Sequence, residues 1–97
     1  MYIPEFAKQL KLGGDIFLQK SFNAAESNSK NTEHLAGIWA AKEAVIKAMG
    51  KRPNKLTDIL IVAKNERPVA RVGDHELEIS ISHHGDYAVA VAKKEDQ

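Results

Sequence analysis

With 97 residues, 43% of them apolar and 28% charged, the chain has room for one domain (residues 1–97) of ordinary globular make-up, which excludes fibrous and disordered classes. Basic and acidic residues number 14 and 13, a net charge of +1, so no global field argues for nucleic acid as a partner. The absence of cysteine rules out disulfides and thiolate metal sites and leaves oxygen or imidazole ligands, which suit a hard cation.

Read from the N-terminus, Met1–Leu10 contains Pro4, Glu5 and Lys8 and so has neither the apolar core of a signal peptide nor that of a membrane span. No membrane partner and a cytoplasmic location are the expectation. Phe6 and Leu10, with Lys8, Gln9 and Lys11 between them, predict a short helix over 5–12 that Gly13-Gly14 breaks. Phe17, Leu18 and Phe22 then recur at helical spacing. Asn23 followed three residues later by Glu26 has the form of a capping box opening another short helix. The Ser- and Asn-rich tract 26–32 reads as a polar loop, with Asn31 or Thr32 available to cap the next helix.

The clearest element is a helix over 33–49. Leu35, Ile38, Trp39, Val45, Ile46 and Met49 recur every three or four residues, alanines fill the gaps, and Gly50 stands where a C-terminal cap glycine belongs. Beyond the Lys51–Lys55 linker the period changes. Residues 57–62 and 69–72 are rich in β-branched side chains and predict strands, with turns at 65–68 and 73–74. Leu77, Ile79 and Ile81 alternate with Glu78, Ser80 and Ser82, and after His83-His84-Gly85-Asp86 the run Tyr87, Val89, Val91 alternates with alanines, which predicts a closing hairpin. The charged end, 93–97, reads as a frayed terminus.

On the long helix, Glu43 and Lys47 are one turn apart and share a face. Spacing alone describes a surface ion pair. Their neighbourhood says more, because Trp39-Ala40-Ala41-Lys42-Glu43-Ala44-Val45-Ile46-Lys47 resembles, without a gap, the Trp/Phe-x-x-Lys-Glu-Ala-x-x-Lys signature of phosphopantetheinyl transferases. Ser80-Ile81-Ser82-His83 followed by Gly85–Ala90 is similar to the Ser-x-Ser-His strand end and closing strand of that family. A weaker match runs from Phe17-Leu18 through Phe22 and Glu26 to Leu35-Ala36-Gly37, as in its holo-acyl-carrier-protein synthase subgroup.

The resemblance implies an α+β fold in which one long helix packs on a small antiparallel sheet behind short N-terminal helices. It implies transfer of the 4'-phosphopantetheine group from coenzyme A to a serine of an acyl carrier protein, a place in lipid biosynthesis, and a homotrimer. It assigns Glu43 to Mg2+, Lys47 and then Lys42 to charge stabilisation at the diphosphate, and His83, Lys47 and Arg67 to coenzyme A. A carboxylate on a stiff helix can hold a divalent cation beside phosphates, and an ammonium can face charge that builds in the transition state. The serine proton is left to Glu43, to a metal-bound water or to Lys42. Lys8 and Lys11 match basic residues that meet the carrier protein in the family. Trp39 reads as core, and His34, His75 and His84 as surface residues.

The chain departs from the family pattern in four places. Relatives begin with a strand carrying Gly-x-Asp-Ile/Val-Glu, whose aspartate is a second metal ligand, and no such strand precedes Tyr2-Ile3-Pro4. Gly14-Asp15-Ile16 repeats the letters in another register, so Asp15 is not assigned to the metal. Lys51-Arg52-Pro53 replaces a Gly-Thr-Gly loop, Ile38 replaces an arginine, and Glu66 replaces the glycine of a Gly-basic-Pro turn ahead of Arg67-Pro68. The alternative function is therefore an impaired or truncated relative that binds coenzyme A or a carrier protein without turnover.

Overall fold

The computed structural model describes residues 1–27 and 31–94; the middle of the expected polar loop (28–30) and the last residues of the expected frayed end (95–97) lie outside them. Helix α1 spans Ile3–Ser21, beginning two residues ahead of the expected start because Pro4 is tolerated in a first turn. It is broken where the two glycines predicted, at Gly14, whose φ of 54° and ψ of −140° are open only to a residue without Cβ. A short helix α2, Ala24–Ser27, comes next. Its opening has the returning half of a capping box, in which the Asn23 N–H donates to Glu26 Oε1 at 2.8 Å.

Helix α3 spans Thr32–Met49. Of its two candidate caps, Asn31 is the one used: its side chain accepts from the His34 N–H at 3.1 Å. Gly50, at φ 77°, closes the other end and donates to the Ile46 carbonyl. A 3-10 turn, Leu56–Asp58, takes up the first residues of the expected first strand, because the Asp58 carboxylate accepts the Lys55 N–H and curls the chain.

Four strands then form an antiparallel meander in the order β1-β2-β3-β4: β1 Ile59–Lys64, β2 Arg67–Val72, β3 His75–His84 and β4 Tyr87–Lys94. Each connection is two residues long, as the pairings Lys64↔Arg67, Val72↔His75 and His84↔Tyr87 require. The Gly73 and Gly85 turns have positive φ at their first position, the form that glycine favours. At Asn65-Glu66 both residues have positive φ, 54° and 66°. This shortens the expected 65–68 turn and returns Arg67 and Pro68 to the strand.

The pleat sends Ile59, Ile61, Ala70, Leu77, Ile79, Ala90 and Ala92 toward α3, where they pack with Ala41 and Val45. A second cluster joins α1 to α3. Phe6, Phe22, Leu35, Ala36, Ile38 and Ala88 are buried there, and Trp39 sits among the rings of Phe6, Phe17 and Phe22 at centroid distances of 6.1, 5.5 and 6.4 Å. The architecture is the expected α+β one. Among the described residues no helix is long and apolar enough to cross a membrane.

Glu66 carries a side chain in a backbone region that suits glycine. Glu66→Gly, which makes the turn Asn-Gly, is expected to raise the unfolding free energy by about 1 kcal/mol, net of the entropy glycine adds to the unfolded chain. Urea denaturation should show a higher midpoint at unchanged slope.

Candidate active site

Glu33, Gly37, Ala40, Ala44 and Lys47 fall on one stripe of α3, alternating four and three residues apart. Opposite this stripe runs β4, whose inward positions are also alanines. Small residues on both sides leave a hollow of about 330 Å³, floored by Ala40, Ala44, Ala88 and Ala90 and bordered by Glu43 and Lys47. Both charged side chains belong to exposed residues, and among the described residues they form no ion pair with each other. The Glu43 carboxylate therefore faces an open space that a ligand can enter.

His83, on the inward face of β3, pairs across the ladder with Ala88, which lines that hollow. Its ring lies over Gly37: a Cβ added there would stand 3.2 Å from the imidazole and 3.0 Å from Ile81 Cγ2. The Nε2 atom is 2.8 Å from the Glu33 carbonyl oxygen. Since a carbonyl only accepts, Nε2 carries the hydrogen, and Nδ1 is left for another partner. Gly37 and Glu43 differ by about 9 Å along the helix axis. Glu43 and Lys47 thus border the hollow, and His83 sits beyond one end of it, against Gly37 and Glu33.

Two of the expected site residues lie elsewhere. Lys42 is buried, with no exposed surface, and its ammonium is 2.7 Å from Glu26 Oε1, 2.8 Å from the Ser21 carbonyl and 3.2 Å from the Leu56 carbonyl. The Phe22 ring closes over it at 5.6 Å. Burial lowers its pKa, and the hydrogen bond and charge of Glu26 offset part of that effect. An ammonium committed to three internal acceptors touches no substrate, so the catalytic role expected for Lys42 does not fit this placement. Arg67 is exposed at the β1–β2 hairpin, and the alternation of β2 puts it on the sheet face turned away from α3. It borders a separate hollow of about 510 Å³ with Lys64, Glu76 and Glu78. Asp15 is exposed on α1 and does not line the Glu43 hollow.

No group of three or more metal-ligating side chains is gathered among the described residues. Among the described residues a fully protein-built cage is thus not offered. Mg2+ is commonly held by one or two carboxylates plus substrate phosphates and water, and an exposed, unpaired Glu43 beside an open hollow fits that mode.

The model of the 4'-phosphopantetheinyl transferase superfamily matches residues 1–92. The chain belongs to that superfamily. Among its relatives is a holo-[acyl-carrier-protein] synthase from Corynebacterium efficiens, 33% identical over 94% of this chain and 86% of the relative. Proteins of the same name from a Mycobacterium species and from Mycobacterium tuberculosis are 36% and 34% identical, over 97% and 93% of this chain and 90% and 87% of theirs. The Corynebacterium match runs over 121 residues, more than the 97 of this chain, so that transferase carries intervening residues that this one lacks.

Glu26, at the edge of the expected polar loop, is 3% exposed and is the partner that neutralises Lys42. The capping-box spacing from Asn23 was the signal available. It gave the local bond to the Asn23 N–H but not the pairing with a lysine 16 residues on.

Gly37 has no room for a branched side chain under His83 and Ile81. Gly37→Val is expected to lower stability by about 1–3 kcal/mol through overpacking and to shift the Nε2 resonance of His83 as its bond to Glu33 is lost. Thermal unfolding and nitrogen NMR of the imidazole check the two effects.

Proposed function

We propose that this protein transfers the 4'-phosphopantetheine group of coenzyme A to a serine of an acyl carrier protein, with Mg2+ held at Glu43. The observation that carries the reading is the free carboxylate of Glu43 one helical turn from Lys47, both exposed on the rim of one hollow. Superfamily membership and relatives named holo-[acyl-carrier-protein] synthase support the substrate pair.

In this reading the serine oxygen bonds to the phosphorus that carries the pantetheine arm, and the bond from that phosphorus to the bridging oxygen breaks. Adenosine 3',5'-bisphosphate leaves with the electron pair. When bound, the cation neutralises charge on the diphosphate oxygens. Lys47 presents its ammonium to the charge growing on the leaving group, where such contacts are strongest. Glu43, or a water it holds, takes the serine proton. His83, fixed through Nε2, binds a coenzyme A phosphate through Nδ1 once protonated.

The same reading makes the enzyme a cytoplasmic homotrimer. Arg67 then meets the nucleotide of coenzyme A from a neighbouring subunit, and Lys8 and Lys11 on α1 meet the carrier protein. Exposed Tyr87, Val89 and Val91 on β4 support association of copies. A second reading, a binding module without turnover, is favoured by the single carboxylate at the hollow.

The test is the mass of an apo carrier protein incubated with the protein, coenzyme A and Mg2+. A gain of one phosphopantetheine group is expected, abolished by a chelator and reduced about 10²- to 10³-fold in kcat by Glu43→Gln or Lys47→Ala. No mass gain alongside calorimetric binding of coenzyme A that Glu43→Gln leaves unchanged selects the binding module. Sedimentation as a stable monomer removes the trimer.

A further inference from the structure

Lys42 and Glu43 are adjacent, so their side chains leave α3 about 100° apart. One turns inward and the other faces the hollow. The three acceptors of the Lys42 ammonium come from three different segments: Ser21 at the end of α1, Glu26 in α2 and Leu56 in the 3-10 turn. A lysine ammonium has three N–H donors, and all three are met. Glu26 is held as firmly, because its other oxygen accepts the Ile61 N–H of β1 at 2.7 Å. The pair therefore ties the helix that bears Glu43 to α1, α2, the 3-10 turn and β1.

We propose that Lys42 is a positioning residue for Glu43, setting the rotation of α3 at which the Glu43 carboxylate faces the hollow. This rests on the transferase reading above. Apolar packing fixes α3 less narrowly, because burial of Ala41 and Val45 among Ile59, Ala70, Leu77 and Ile79 is non-directional. The ammonium has no such freedom: turning α3 by about 20° swings a side chain at its rim by about 2 Å, more than three hydrogen bonds tolerate. Misplacement of a reacting group by about 1 Å can cost on the order of 10²-fold in rate. The internal pair thus reaches the site through geometry, without touching substrate.

The test uses Lys42→Met and the double variant Glu26→Gln/Lys42→Met, which removes both buried charges and so keeps a folded protein available where the single variant fails to fold. In the folded double variant kcat is expected to fall about 10- to 100-fold, with KM for the carrier protein changed less than about threefold. Placed on a Glu43→Gln background, the same pair of changes is expected to cost less than a further threefold, because its effect runs through Glu43. Full multiplication of the two losses, or wild-type kcat in the folded double variant, overturns the proposal. The orientation of α3 is read separately, from amide residual dipolar couplings of wild type and double variant. A helix that turns against the sheet supports the inference, and one that keeps its orientation sinks it even if the wild type transfers nothing, an outcome that would instead defeat the transferase reading.

Discussion

An ammonium out of reach of water has to find acceptors on every side, and at Lys42 this requirement organises the surrounding structure. Removing a charge from water is costly, and attraction to a carboxylate offsets that cost only when the remaining lone pairs and hydrogens are also met. Here they are met by two carbonyls at the ends of other elements, by the Asn23 and Ile61 amides on Glu26, and by the Phe22 ring. The chain runs from α1 to the sheet through this point. Loss of one partner would strand the other in an apolar interior, a far larger penalty than loss of a surface pair such as Lys64 with Glu76.

With the inner side of α3 held in this way, its outer stripe is free to be thin. Ala40 and Ala44 beside Ala88 and Ala90, and Gly37 beneath Ile81 and His83, bring helix and sheet close without filling the space between them. The same economy of side chain that gives His83 room over Gly37 also leaves the hollow beside Glu43. Packing and chemistry are thus separated by about half a turn on one helix: residues 41, 42 and 45 are buried, and 43 and 47 are exposed.

Much of this was legible from periodicity and turn chemistry. The long helix with its glycine cap, the break at Gly14 and the β3–β4 alternation all come from local rules that the folded chain obeys. The pairing of Glu43 with Lys47 on one face was legible for the same reason. Strand starts were less so. Asp58 bends the chain through a side-chain bond, and Glu66 enters a backbone region its residue type disfavours, so β1 begins later and β2 earlier than composition indicates. The inward turn of Lys42 was not legible, because it depends on where Ser21, Glu26 and Leu56 arrive in space, and no pattern within α3 distinguishes a lysine that meets water from one that does not.

The sole tryptophan stands where α1 docks on α3, its indole nitrogen buried and without a hydrogen-bond partner among the described residues, inside a ring of phenylalanines. The chain thereby carries its one indole at a seam of the molecule, and no tryptophan lies in the sheet. Its emission tracks whether the N-terminal helix is seated, independently of the strands, so partial opening of that seam has an optical signal separate from global unfolding.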